Sequence, residues 1–472
     1  YNGSWSAGQL LRILLSSVGI MKYMFTGAVE RWTEKGRPYY IDVVNQWQAK
    51  DWRSFSAVEL LDACRQLSEA AIDAYGALVS GVIPAAWISE GLFTGVYNLL
   101  IKRRDDPEAP TYLLGFDSLP IRAEKALYDL AGWVQPRPQL AAYLQNTPTQ
   151  QIISHFENDQ TPSGLNADDW TEWRNRFQEH LDRYGHTIYN LDFANPVPAD
   201  DPAPLLETFK LFLSGQGVNP HTRQGASAER REQVTQATLE RLKGLRRKLF
   251  VKQLERAQRY APLREDGLAD VGLSYPLLRQ MLRELGARFT TANMIAKPDD
   301  IFWLTQKEVE AAAEKVERSE SLNDHCTSVA ERKAAWRAAN RATPPLALPQ
   351  TKLTQMKSKR GKRQNGETLK GVAASPGQVT APACVVHGPE DFASMNTGDV
   401  LVAALTTPAW TPLFARAAAV VTDIGGPLSH GSIVAREYNI PAVLGTDEAT
   451  KRIQSGQTIT VDGSSGMVML ST

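Results

Sequence analysis

The spacing of apolar residues changes once along this chain of 472 residues, and that change constrains the fold more than any other feature. From about residue 4 to residue 341, apolar residues recur every three or four positions, which predicts amphipathic helices. After Thr368, short β-branched runs are separated by Gly and Pro, and two short helices fit between them. The pattern predicts a large, mainly α-helical domain over residues 1–343, followed by a small α/β domain over residues 368–472.

The segment between these two domains, residues 344–367, has no apolar period and is rich in Pro, Lys and Arg. Such a composition is typical of a linker. We therefore predict a flexible hinge here, whose basic run is solvated and does not form a binding site.

Composition excludes several classes of partner and site. Lys and Arg together number 52, as do Asp and Glu, so the chain has no overall field that would attract nucleic acid or an anionic membrane. An apolar stretch over residues 10–25 is interrupted by two basic residues and is shorter than the ~20 residues of a membrane span. The three cysteines are too far apart for a disulfide framework or a zinc motif. We expect a cytoplasmic protein that binds no metal, nucleic acid or membrane.

A stretch near the C-terminus, TDIGGPLSHGSIVAREYNIPAVLG, contains one of the seven histidines of the chain. Gly425 and Gly426 predict a tight turn after a buried strand. Ser429 is predicted to cap the helix that follows, with His430 in its first turn and with Arg436 and Glu437 facing solvent.

A histidine at this end of a helix is unusual, because the helix dipole disfavours the imidazolium. The same position suits a neutral imidazole that acts as a nucleophile, since a phosphoryl group on it would meet free backbone N–H groups. The alternative is a surface histidine that caps or packs.

The longer stretch TTPAWTPLFARAAAVVTDIGGPLSHGSIVAREYNIPAVLGT strongly resembles the swivelling phosphohistidine domain of the phosphoenolpyruvate-utilising dikinase family. In that family, a histidine carries a phosphoryl group between two sites. The resemblance implies this role for His430, although Ser432 stands where Ala is usual. It also implies a phosphohistidine loop, which comprises Gly425, Gly426, Ser429, Gly431 and Arg436.

The resemblance also implies a second protein module. An ATP-grasp domain of the family normally phosphorylates the histidine from ATP and releases AMP and phosphate. Residues 1–340 show no Gly-rich phosphate loop with its Lys before a helix. We therefore expect ATP and Mg²⁺ to bind to an ATP-grasp partner subunit or to a missing N-terminal segment. Residues 1–340 also lack the βα alternation of a pyruvate-binding barrel, so the helical domain is expected to bind the acceptor.

Two stretches of the helical domain resemble the acceptor site of the family. In RYGHTIYNLDFANPVPADDP, His186 is a candidate general base, with Asp192 and Tyr189 as candidates for orienting it or the acceptor. The alternative is a buried histidine that hydrogen-bonds to the backbone. Thr187 follows where rifampicin phosphotransferases usually have Arg.

The second stretch is YAPLREDG, where Arg264 matches an arginine that meets the transferred phosphoryl group in the family. Leu268 stands where the family has a lysine. The alternative for Arg264 is a surface ion pair with Glu265 or Asp266.

The acceptor is expected to be a small hydrophobic compound that carries a hydroxyl, because aromatic residues are abundant and two basic residues of the family site are missing. We favour a phenol, as for phenylphosphate synthase-type enzymes of the family. A rifampicin-type antibiotic is one alternative. The other is a phosphohistidine relay or regulatory protein without a small acceptor.

Overall fold

The computed structural model describes Gly27 and residues 29–192, 194–340, 367–427 and 429–470. A long series of helices is followed by an eight-stranded sheet with short helices, which confirms the predicted helical part and small α/β part. The predicted hinge lies outside the described residues, apart from Glu367. The domain boundaries and the hinge therefore stay predictions.

The helical part consists of thirteen α-helices among the described residues, some joined directly and others by longer connections. Ser56 and Glu59 form a capping box at the start of one of them, with Ser56 Oγ accepting from the Glu59 N–H at 3.2 Å. The α-helices of this part are α1 (Arg37–Gln48), α2 (Ala57–Ala77), α3 (Ile83–Val96), α4 (Leu119–Val134), α5 (Pro138–Asn146), α6 (Thr149–Glu157), α7 (Ala167–Tyr184), α8 (Ala203–Leu213), α9 (Pro220–Arg241), α10 (Gly244–Ala269), α11 (Tyr275–Thr291), α12 (Gln306–Glu317) and α13 (Cys326–Asn340).

Aromatic packing forms much of the helical core. Trp170, Trp173 and Phe177 of α7 stack in sequence, with ring centroids 5.0 and 5.3 Å apart, and all three side chains are buried. These tryptophans therefore serve packing of the helical core.

The helices α2 and α3 are joined by a turn of π-helix, Leu78–Val82, into one helical stretch. This stretch, Ala57–Ile101, is long and apolar enough by length and composition to cross a membrane. Core helices of soluble proteins pass the same test, so the observation is weak evidence for a membrane span.

The α/β part is built on one mixed sheet with the order β1-β8-β7-β3-β4-β5-β6-β2. Strands β3 to β6 are parallel, whereas β1, β8, β7 and β2 pair antiparallel at the two ends. Its elements are β1 (Thr368–Lys370), β2 (Val372–Ser375), β3 (Gln378–Val386), β4 (Val400–Ala403), α14 (Thr411–Phe414), β5 (Ala419–Thr422), α15 (His430–Glu437), β6 (Ala442–Leu444), α16 (Ala449–Arg452), β7 (Thr458–Asp462) and β8 (Met467–Leu470).

The two parts are in contact through the loop after α7 and through helix α15. The backbone carbonyls of Ile188 and Tyr189 accept hydrogen bonds from Thr407 and from the Trp410 indole, at 2.8 Å and 3.3 Å. The Tyr189 ring packs inside the core of the α/β part, edge-on to Phe392 at 5.4 Å. Helix α15 is thereby placed against the helical part.

Candidate active site between the two domains

Helix α15 begins at His430, and glycines allow the close packing around its start. Gly425 has φ +155°, and a Cβ there would lie 3.1 Å from Cβ of Leu444. A Cβ on Gly431 would lie 2.7 Å from Oγ1 of Thr406. A Cβ on Gly426, in contrast, would meet no atom within 4 Å. Gly425 and Gly431 are therefore required to bring the helix start against neighbouring loops.

The predicted cap by Ser429 is wrong. Ser429 occupies the N-cap position, but its side chain accepts no N–H of the first turn. Its hydroxyl donates instead to the carbonyl of Gly426 at 2.9 Å, and the Ser432 hydroxyl donates to the same carbonyl at 2.6 Å. The turn presents a carbonyl oxygen to both hydroxyls, which sequence spacing could not reveal. This contact also accounts for Ser432 at the position where Ala is usual.

The prediction that Arg436 and Glu437 face solvent is also wrong. Nε of Arg436 donates to the carbonyl of Ala374 at 2.8 Å, and burial lowers the pKa of the guanidinium to about 10 although Glu90 opposes this. Oε1 of Glu437 accepts the backbone N–H of Gly115 at 2.6 Å. The prediction considered the α/β part alone, whereas the helical part covers this face of α15.

His430 is buried, with 7% of its surface exposed, and both ring nitrogens have neighbours. Nδ1 lies 2.9 Å from Oε2 of Glu265, on helix α10 of the other domain. Nε2 lies 3.5 Å from Oγ1 of Thr411. A carboxylate at Nδ1 selects the tautomer with the proton on Nδ1 and leaves the lone pair on Nε2. Nε2 is thus the nitrogen that can act as a nucleophile.

Glu265 is a residue that the sequence analysis considered only as an ion-pair partner of Arg264. Burial by itself would raise its pKa, but the hydrogen bond from His430 and the positive charge of Arg264 hold the pKa of this carboxyl well below its usual range. The carboxylate is therefore ionised under ordinary conditions. Its position next to Arg264 in the quoted motif was the available signal.

Arg264 lies on the same helix and is 2% exposed. Its Nε donates to Oε1 of Glu265 at 3.2 Å, and its Nη1 is 3.8 Å from Glu90. Nη2 also lies 3.2 Å from Oε1 of Glu265 and so shares the ion pair, although among the described residues neither Nη1 nor Nη2 makes a hydrogen bond of good geometry. The ion pair with Glu265 is buried and leaves Nη1 without a hydrogen bond, whereas Asp266 accepts from the Leu119 N–H. Buried unpaired donors are costly, so the arrangement favours an anion bound here.

A cleft of about 700 Å³, including its open mouth, lies between the two domains at this point. Its lining is mainly apolar and includes Phe116, Ile121 and Ile433, together with His430 and Arg264. A second cavity of about 510 Å³ shares three lining residues with it, which are Pro120, Glu124 and Thr411. The space beside His430 that a water-sized sphere can occupy is only about 50 Å³, so the walls of the cleft must move apart to admit a small organic molecule.

Polar groups close one side of the cleft. The Tyr438 hydroxyl donates to Oε1 of Glu124 at 2.5 Å, and the Arg223 guanidinium pairs with both oxygens of Glu124. The guanidinium also lies 3.7 Å from the centre of the Tyr438 ring. These three side chains, which we call the latch cluster, join the end of α15 to α4 and α9.

The predicted acceptor residues of the loop after α7 lie elsewhere. His186 is buried, its Nε2 is 3.6 Å from Oδ1 of Asp270, and it does not line the cleft. Asp192 accepts from the Ala194 N–H and not from His186. Tyr189 packs in the α/β core, as described above. The structure therefore does not bring these three residues to His430, because the loop folds against α10 and the sheet domain.

The described part of the chain contains no group of three His, Cys, Asp or Glu side chains arranged to hold a metal ion.

Comparisons with known proteins match both parts of the site. A family model described as the mobile domain of PEP-utilising enzymes matches residues 395–466, which include His430. A model described as the fourth domain of rifampicin phosphotransferase matches residues 79–265, which include Arg264 and Glu265.

Several whole proteins are also similar to this chain. The rifampicin phosphotransferase of Streptomyces sviceus is 30% identical over 73% of this chain and 39% of its own length. The uncharacterized phosphotransferase YvkC of Bacillus subtilis is 27% identical over 88% of this chain and 49% of its own length. The prodigiosin synthesizing transferase PigC of Serratia marcescens is 28% identical over 74% of this chain and 38% of its own length. The chain thus spans half or less of the length of these relatives.

Proposed function

This chain belongs to the family of PEP-utilising enzymes, and from that premise we propose that it transfers a phosphoryl group from His430 to a hydroxyl of a bound acceptor. The observation that carries the proposal is the buried contact between His430 and Glu265, beside the unused donors of Arg264. It assigns a nucleophile, a group that fixes its tautomer, and a guanidinium for the phosphoryl oxygens.

The proposed reaction has two halves. In the first, Nε2 of His430 attacks the β-phosphorus of ATP on an ATP-grasp partner or segment, which would also hold Mg²⁺. The bond between the α- and β-phosphoryl groups breaks and AMP leaves, and water then cleaves the β–γ bond, so that phosphate is released and one phosphoryl group stays on Nε2. In the second, the acceptor oxygen attacks phosphorus, the P–Nε2 bond breaks, and His430 is regenerated. In the described structure His430 contacts Glu265 of the helical part, and we propose that this is the acceptor side. To reach the ATP bound to the partner or segment, the α/β part must rotate about the proposed hinge at residues 344–367.

The proposed acceptor is a small hydrophobic molecule with a hydroxyl group. The apolar lining of the cleft supports this class, and the presence of a cleft at His430 argues against a relay without a small acceptor. A phenol and a rifampicin-type antibiotic both stay candidates. The names of the relatives favour the antibiotic, whereas Leu268 in place of the family's lysine favours a different acceptor. The protein is proposed to act in the cytoplasm, without nucleic acid or a membrane.

The test begins with the phosphorylation of His430, which we call loading. Radiolabelled phosphoramidate, a small donor that phosphorylates histidine, should label the peptide that contains His430 in an acid-labile and base-stable form, and the corresponding peptide of His430→Ala should stay unlabelled, whatever label the other six histidines take up. Phenol and rifampicin are then added separately to the loaded chain, and the labelled small molecule is identified. Arg264→Ala should load normally but transfer slowly, because only the second half needs the guanidinium at this site. Equal labelling of wild type and His430→Ala would refute the proposal.

A further inference from the structure

The reaction proposed above needs a group that takes the proton of the acceptor hydroxyl, and the residue predicted from sequence for this task, His186, does not line the cleft. The described side chains that line the cleft carry four carboxylates, on Glu90, Glu124, Glu265 and Glu437. Glu437 accepts the Gly115 N–H, and the cations that act most strongly on it are Arg223 and Arg231 of α9 rather than Arg264. This leaves Glu90, Glu124 and Glu265 to be compared. A general base must reach the acceptor hydroxyl and must have free lone pairs. The three carboxylates can be compared on these grounds.

Two of the three are occupied by other partners. Glu265 accepts from His430 with Oε2 and from Arg264 with Oε1, and its lowered pKa makes it a weak base. Glu124 is held by Arg223 on both oxygens and by the Tyr438 hydroxyl. Neither carboxylate can accept a further proton without losing a buried ion pair.

Glu90 differs from both. It lies on α3, is 7% exposed, and its Oε2 is 3.8 Å from Nη1 of Arg264, beyond hydrogen-bond distance. Burial raises the pKa of its carboxyl, and the charges of Arg264 and Arg436 oppose this only in part. Glu90 and Glu265 thus lie on either side of one guanidinium, with their pKa values displaced in opposite directions. Such a pair is the usual sign that two carboxyls have different tasks.

We propose that Glu90 is the catalytic base that takes the proton from the acceptor hydroxyl during transfer. This inference rests on the proposed function. As the acceptor oxygen bonds to phosphorus, its proton moves to a carboxylate oxygen of Glu90, and the electron pair of the P–Nε2 bond returns to His430. The proton on Nδ1 stays with the imidazole, facing Glu265. Arg264 lies between the two carboxylates, where it can hold the phosphoryl oxygens in line.

The acidity of the acceptor hydroxyl provides a test. If Glu90 only supported the fold, its replacement would slow discharge by the same factor for acceptors of any acidity. Chains loaded by phosphoramidate are mixed with phenol or with 4-nitrophenol, which is more acidic, and the loss of label is followed in a single turnover. Glu90→Gln should load like wild type and discharge to phenol about 10²-fold more slowly. The loss should be clearly smaller with 4-nitrophenol, because its proton is more easily lost. Glu90→Asp should restore part of the rate.

The pH dependence gives a second readout. Discharge by wild type should fall as pH is lowered through the raised pKa of Glu90, because only the carboxylate accepts a proton. The charged groups that face Glu90 are Arg264 and Glu265 on α10 and Arg436 on α15, and they are retained in Glu90→Gln. That variant should therefore lose this dependence on pH.

Ser89→Ala is the matched control. Ser89 is the buried neighbour of Glu90 on α3, and its hydroxyl points back to the carbonyl of Ala86 at 2.9 Å. The discharge rate of Ser89→Ala should equal that of wild type. If Glu90→Gln discharges at the wild-type rate, Glu90 is not the base. The assignment is also overturned if the discharge rate of Glu90→Gln falls by the same factor with phenol and with 4-nitrophenol and keeps the pH dependence of wild type. The proposed function stands in both cases. A loaded wild type that discharges to neither phenol nor rifampicin would overturn the proposed function, and the assignment with it.

Discussion

Replacing Glu265 with Gln should impair transfer from His430 in a way that depends on pH. The carboxylate holds the proton on Nδ1 of His430, at 2.9 Å, and a phosphohistidine with that proton has a better leaving group than one without it. Gln keeps the size and can still accept a hydrogen bond, but it has no charge to hold the proton. The variant should therefore lose the reactive form of phosphohistidine more readily as the pH rises.

The size of the effect follows from the electrostatics of Glu265. The hydrogen bond from His430 and the charge of Arg264 both favour the ionised carboxylate, which lowers its pKa against the effect of burial. A hydrogen bond to a charged group contributes about 1.5–3 kcal/mol, which corresponds to about 10- to 100-fold in rate. We expect Glu265→Gln to discharge about 10- to 100-fold more slowly above neutral pH.

The assay is single-turnover discharge to phenol or rifampicin across a range from about pH 6 to about pH 9, where histidine chemistry changes. The defect should shrink toward the acid end. Glu308→Gln is the matched control, because Arg332 also lowers the pKa of Glu308 to about 2, but Glu308 does not line the cleft. A defect of the same size at every pH, or no defect, would show that Glu265 does not control the Nδ1 proton.

Two further variants separate docking from chemistry. Tyr438→Phe removes the hydroxyl that donates to Glu124 in the latch cluster, so docking of α15 should weaken by about 1–2 kcal/mol and discharge should slow about 5- to 30-fold, with unchanged loading by phosphoramidate. Slowed loading in this variant would instead indicate damage to the α/β domain. His186→Ala should lower the free energy of unfolding by about 1–3 kcal/mol in urea, because it removes a buried side chain, and should leave discharge unchanged. If this variant is stable but no longer discharges, His186 takes part in the transfer after all.

The sequence predicted the two-part architecture, because apolar periodicity is a local signal, and a long glycine-histidine motif drew attention to His430, whose role stays a prediction. Arg264 was also found from a local motif. Glu90 and the pairing of Glu265 with His430 could not be predicted, since Glu265 and His430 lie 165 residues apart in sequence and meet only when two domains dock. The same docking explains why Glu437 was wrongly assigned to solvent. Its environment is set by Gly115, which belongs to another domain.

The position of Tyr189 has a consequence for the resting state of the protein. This side chain of the helical part is 5% exposed because it fills the core of the α/β part beside Phe392 and Trp410. If the α/β part moves away, the ring loses that cover, at a cost of about 1.5–3 kcal/mol for one large side chain. If the Tyr189 ring is not buried equally well when His430 is at the ATP site, this contact alone favours molecules with the α/β part docked at the proposed acceptor cleft by about ten- to a hundred-fold. Without substrate, most molecules would then have His430 at the proposed acceptor cleft. Phosphorylation of His430 by ATP would require the α/β part to leave this position, which would happen rarely.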